Sequence, residues 1–150
     1  MLHLHKNVEA PNRSGWGLFT YPQEGLLYIL TFETYTKPPL SENDRWKHWG
    51  QKAQAIKDVR YLTAMKARHI PPLGRCDVSL IWYVNDKRRR DAENPVSTLK
   101  AMCDGLVDAG LVTDDTPDLM VKHMPVITYA LRSERPAHME LHITPLGETE

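Results

Sequence analysis

The chain has 150 residues, 41% of them hydrophobic, which is enough for one packed domain and too many for a wholly disordered polymer. Lysine plus arginine equals aspartate plus glutamate at 19 each, so the global positive field of a nonspecific nucleic-acid coat protein is excluded; binding to DNA would need a local basic patch. No apolar run reaches the ~18 residues of a membrane span, and Met1 to Lys6 do not open an apolar signal core, so a chain with no membrane partner is expected.

Residues 1–25 are rich in Gly, Pro and Asn and show little periodicity, which predicts an irregular N-terminal arm or an edge element. Leu26 to Phe32 is rich in β-branched and aromatic residues and reads as a strand ended before Pro38-Pro39. Ser41 followed by Asp44 resembles a capping box, and Trp46, Trp49, Ala53, Ile56 and Val59 then fall at helical spacing. Pro71-Pro72 closes this helix. Its outer face carries Lys47, Lys52, Lys57, Arg60, Lys66 and Arg68 against one acid, Asp58. That face is either a solvated surface or a DNA-backbone surface in which Lys52 and Lys57 take part.

Asp77 to Val84 reads as a second, central strand. Asn94-Pro95 and Gly110 bracket a helix, because Asn suits the cap, Pro the first turn and Gly the residue past the end. Val96, Leu99, Cys103 and Leu106 form its apolar stripe. Leu119 to Tyr129 and His138 to Pro145 read as two late strands. The order β-α-β-α-β-β predicts a single α/β (α+β) domain over residues 1–150, with a small mixed sheet and two main helices. Cys76 and Cys103 form no CxxC pair; buried free thiols and a reducing, cytoplasmic setting are expected rather than a disulfide or a zinc site.

Chemistry concentrates between the second strand and the loop after the second helix. Lys87, Arg88, Arg89 and Arg90 form an uninterrupted basic run, suited to drawing in a phosphate backbone or, more blandly, to solvation. Asp91 and Glu93 follow. If the chain stays extended, both carboxylates share one face and offer the hard oxygen donors that Mg²⁺ takes beside a phosphate. As an alternative they are solvated acids near a helix start. Asp114 and Asp115 occupy the loop after the helix, as turn residues or as further carboxylates for a divalent ion. Lys100, Asp104 and Asp108 lie along one helix face, either as a surface ladder or with Lys100 turned to a phosphate.

Taken in order, Arg88-Arg89-Arg90-Asp91-Ala92-Glu93-Asn94, then Lys100-Ala101-Met102-Cys103-Asp104-Gly105-Leu106, then Ala109-Gly110, then Asp114-Asp115 resemble the core of the RusA family of Holliday-junction resolvases. That core runs as basic residues, Asp-x-Asp-Asn, a helix with Lys and then Asp four residues later, Gly, and an Asp-Asp pair. The strong likeness covers roughly 30 residues; Pro38-Pro39, the long first helix and Met124-Pro125 extend it loosely. Glu93 stands where the family has Asp, and the step from Asn94 to Lys100 is longer by about three residues.

The resemblance implies a RusA-like domain and a crossover junction endodeoxyribonuclease. Such an enzyme hydrolyses paired phosphodiesters in four-way DNA during recombination and repair. Asp91, Glu93 and Asp115, with Asp114 nearby, would hold Mg²⁺ or Mn²⁺, and Lys100 would be the catalytic lysine. Two nicks across a symmetric junction imply a homodimer. A reading of another class remains open beside it: a non-catalytic branched-DNA-binding protein with a degenerate metal site.

The second helix is expected to span roughly 24 Å, while the loop to Asp115 reaches at most about 17 Å. That predicts a site shared between antiparallel helices of two chains. His3 and His5 form an HxH that could bind metal but lacks further ligands nearby, and Trp46 and Trp49 are expected in the core rather than stacked on bases. No GxxxxGK[ST] or GxGxxG occurs, so no nucleotide cofactor is expected.

Overall fold

The computed structural model describes residues 2–6 and 26–147. Strands β1 (Leu2–Lys6), β2 (Leu26–Phe32), β3 (Cys76–Val84), β4 (Met120–Lys122), β5 (Val126–Tyr129) and β6 (His138–Pro145) and helices α1 (Trp49–Ala67) and α2 (Val96–Asp108) follow in the order ββαβαβββ. They make a mixed α+β domain. The six-stranded sheet runs β1-β2-β6-β3-β4, with β5 also on β3. The β1–β2, β2–β6 and β6–β3 pairs are antiparallel, and β4 and β5 lie parallel to β3.

β3 is central, as its alternation predicts: Cys76, Val78, Leu80, Trp82 and Val84 are buried, and the residues between them are half-buried. β2 and β6 repeat the pattern, placing Leu30, Phe32, Met139, Leu141 and Ile143 in the same core.

Of the two expectations for the N-terminal segment, Leu2–Lys6 forms the edge element, as strand β1, while residues 7–25 lie outside the described part. His3 and His5 stand opposite Ile29 and Leu27 on that strand, and their side chains lie outside the described part. The single late strand divides into β4 and β5, each pairing a different stretch of β3. Between them Pro125 has no N–H to donate to a ladder.

α1 begins at Trp49, not near Ser41. The Ser41–Asp44 signal is real but closes a turn: Asp44 accepts the Ser41 N–H at 2.7 Å, and Asn43 N–H points to Ser41 Oγ. Trp49, expected in the core, is 85% exposed, whereas Trp46 packs partly against the core. Only Val59, Thr63 and Ala67 of α1 are buried, a stripe of four-residue spacing.

α2 is buried around most of its girth, through Thr98, Leu99, Ala101, Met102, Cys103, Gly105 and Leu106. Its end matches the sequence. Gly110 adopts φ +86°, Gly110 N–H reaches Val107 O at 2.9 Å and Leu111 N–H reaches Leu106 O at 3.2 Å, a Schellman closure. Arg60 of α1 grips Asp108 of α2 with two hydrogen bonds, so Arg60 is not a free cation of the basic face.

On the sheet face opposite the core, alternate β6 residues form a polar cluster. Glu140 accepts hydrogen bonds from His138 at 2.8 Å and His142 at 2.9 Å, and Arg135 approaches at 3.3 Å. Burial pushes the Glu140 carboxyl up, but the hydrogen bonds from His142 and His138 outweigh it and bring it down from 4.5 to about 2. A carboxyl depressed by folding stabilises fully above its unfolded value and loses that contribution as pH falls to its folded value. Glu140→Gln is therefore expected to cost about 2 kcal/mol at neutral pH and to flatten the acid limb of stability between about pH 4.5 and about 2. Urea denaturation across that range checks this; parallel pH profiles for the two proteins would refute it.

Candidate metal and nucleic-acid site

The end of β3 organises the basic run through one acid. Asp86 binds Arg88 at 3.2 Å and Arg90 at 2.8 Å. Hydrogen bonds from Arg90 and then Arg88 hold the Asp86 carboxyl well below the usual carboxylate range. The Arg90 guanidinium also lies 5.3 Å from the Trp82 ring, and Lys87 Nζ lies 5.0 Å from the Tyr129 ring. Arg88 is left 81% exposed although paired, while Arg90 is 15% exposed. The run is thus a shaped cluster rather than four independent solvated cations.

Asp91 to Asn94 then forms a turn instead of the expected extended segment. Asp91 Oδ1 accepts the Glu93 N–H at 3.0 Å, and Asn94 N–H closes on Asp91 O at 3.0 Å. The cap of α2 is Pro95, with no side-chain cap bond. Asn94, expected to cap, instead accepts at Oδ1 from Asn43 Nδ2 at 2.9 Å. Asp91 and Glu93 remain exposed, and neither forms an ion pair among the described residues. Their hard carboxylate oxygens suit Mg²⁺ or Mn²⁺, ions that keep several waters and need few protein ligands. By donor chemistry the pair fits such an ion.

Asp115 forms an ion pair with Lys122 of β4 at 2.8 Å. Its carboxyl is lowered first by that hydrogen bond, against a smaller opposing effect of burial, and further by the charges of Lys122 and Lys100. Lys122, though pushed down by burial, is raised overall by Asp115 and, more weakly, by Cys103 and Asp104. Lys100 is exposed and shares a helix face with Ser97 and Asp104. Lys100, Asp104, Asp115 and Lys122 therefore form one electrostatic group beside α2. Asp115 feels the charge of Lys100 in the same chain but forms no group with Asp91 and Glu93, the separation on which the expectation of a site shared between two chains rests. Asp114 is turned to local use: its carboxylate accepts the Asp115 N–H at 2.8 Å.

The two acidic sets stay distinct. Among the described residues, no three His, Cys, Asp or Glu side chains form a group that could hold a metal ion. Lys52 and Lys57 are exposed on α1 with no described partner.

Glu42 is a residue that local sequence reading missed. It accepts the Ser97 hydroxyl at the start of α2, where Glu42 N–H also reaches Asn94 O at 3.3 Å. The docking is fixed by buried Thr98, whose Oγ1 accepts Leu40 N–H at 3.1 Å and donates to Leu40 O at 2.6 Å. No local pattern could reveal this, since the partners lie more than fifty residues apart.

No protein-family model matches the chain, and no curated protein matches it. The family reading therefore rests on the residues quoted above.

Proposed function

We propose that the chain is a Mg²⁺- or Mn²⁺-dependent endonuclease that resolves four-way DNA junctions, acting as a homodimer with one site per chain. The observation that carries the reading is the order along the chain: the Asp86-organised arginines, the exposed Asp91–Glu93 turn, and the Lys100–Asp115 group beside α2. Asp91 and Glu93 would hold the divalent ion, which supplies Lewis-acid stabilisation of charge at the scissile phosphate. Lys100 would place an ammonium against the charge that develops on phosphorus or the leaving oxygen. Arg88 and Arg89 would hold backbone phosphates next to the acids, favouring recognition of shape over base sequence.

A second reading is favoured by one observation. Asp115 is already satisfied by Lys122, which leaves only a carboxylate pair facing solvent at the turn. A protein of that kind would grip branched DNA without cutting it. The two readings separate when a labelled four-way junction is mixed with the protein in chelator and a divalent ion is then added. Binding in chelator followed by paired, symmetric nicks on adding Mg²⁺ or Mn²⁺ is the expected result. Binding with no cleavage in either ion refutes the enzyme, and failure to bind refutes both.

A further inference from the structure

Beside the basic run lies an open pocket of about 680 Å³, lined by three separate stretches of chain. Thr36 and Lys37 come from the loop after β2, Asp86 and Arg88 to Arg90 from the end of β3, and Arg132 and Ala137 from the loop before β6. Five lining side chains are basic and one is acidic. Asp86 engages Arg88 and Arg90, so Lys37, Arg89 and Arg132 have no carboxylate partner among the described residues.

The walls are fixed to the sheet by specific bonds. Trp82 Nε1 donates to Thr36 O at 3.0 Å, which seats the Lys37 wall. Asn85 Nδ2 donates to Ala130 O at 3.0 Å and Arg135 O at 2.8 Å, and Asn85 Oδ1 accepts Ala137 N–H at 2.8 Å, which seats the Arg132 wall. Holding cations from three segments around one concavity costs repulsion that an anion relieves.

The pocket has room for more than a lone phosphate, yet among the described residues it offers no open ring on which a base could stack. Trp82 is 7% exposed and lies against the Arg90 guanidinium. Base stacking is the usual source of single-strand affinity apart from charge. A cationic concavity without it reads the sugar–phosphate backbone.

We infer that this pocket is a phosphodiester-binding subsite for an uncleaved stretch of the DNA strand that passes the Asp91–Glu93 turn, with Lys37 and Arg132 as its added contacts. The inference rests on the nuclease reading for its ligand. The subsite sits immediately upstream of the acids, since Arg90 and Asp91 are adjacent in the chain. It anchors the strand by backbone charge and is indifferent to sequence.

The test is equilibrium binding of a labelled four-way junction in chelator at several salt concentrations. The proteins compared are wild type, Lys37→Ala, Arg132→Ala, the double variant and Arg75→Ala, a cation at the far end of β3 and outside the pocket. Both pocket side chains are exposed, so folding is not at stake. Each single variant should weaken binding roughly threefold and the double variant roughly tenfold or more, with the salt slope reduced by nearly one per lost phosphate contact. The loss should be equal on junctions of unrelated sequence. Arg132→Lys should recover most of the affinity. A double variant within twofold of wild type, or Arg75→Ala weakening binding as much, overturns the subsite while leaving the nuclease reading intact. Displacement by millimolar inorganic phosphate beyond its ionic-strength effect assigns the pocket to free phosphate and also overturns it. A wild-type protein that binds no junction removes both readings.

Discussion

Replacing Asp91 by Asn is expected to lower junction cleavage by roughly 10²–10³-fold, with the fold unchanged and junction binding in chelator kept. Asparagine preserves the Oδ1 that accepts the Glu93 N–H, so the turn survives. What disappears is the formal charge and one of the two oxygens free for a hard cation. Because Asp91 is exposed, its stability should stay within about 0.5 kcal/mol of wild type. Single-turnover cleavage with Mg²⁺ and thermal melting of the same preparations decide the matter. A variant that melts earlier but cuts at the wild-type rate would return Asp91 to a purely structural role. Raising the Mg²⁺ or Mn²⁺ concentration should recover part of the lost rate if the defect is in holding the ion.

The parts of this molecule legible in the sequence are those governed by local periodicity. β2 and β6 begin and end where their patterns do, and the Gly110 closure of α2 follows from a residue that tolerates positive φ. Asp77 to Val84 reads as a central strand, and β4 and β5 on one edge of β3 and β6 on the other bear that out. What stayed hidden depends on partners distant in the chain. The Ser41–Asp44 turn looked like a helix start because the same short bonds serve both; only its docking on Asn94 and Thr98 shows its use. Trp49 fell at helical spacing with true core residues, yet it sits at the first position of α1, beyond the buried stripe. In the candidate site, residue types were readable and their pairing was not. Asp86, one residue ahead of four cations, organises two of them, and Lys122 gave no signal that it would take up Asp115.

Gly105 shows how the scaffold constrains the site, and Gly105→Ala is expected to destabilise the protein by roughly 2–3 kcal/mol. A glycine within a helix costs about 1 kcal/mol relative to alanine, so propensity alone predicts that the substitution should help. Packing opposes it. A Cβ at this position would lie 2.6 Å from Arg60 O, 2.8 Å from Thr63 Cβ and 3.3 Å from Ala64 N. Two of those atoms are backbone, and Thr63 is fully buried with its hydroxyl bonded to Val59 O at 2.8 Å, so no flexible side chain can yield. α1 and α2 would have to separate, loosening the Arg60–Asp108 clamp one turn farther along α2. The melting temperature should fall by roughly 5–10 °C. Trimming Thr63 to alanine in the same chain should recover nothing, since alanine keeps the Cβ that the new methyl group meets and the Arg60 carbonyl still blocks it. An unchanged or higher melting temperature would mean that the helices do not approach this closely. The displacement should also reach function, because α2 carries Lys100 and Asp104 on its exposed side. Cleavage should then fall more steeply than junction binding, whose arginines and pocket walls are fixed to β3 instead.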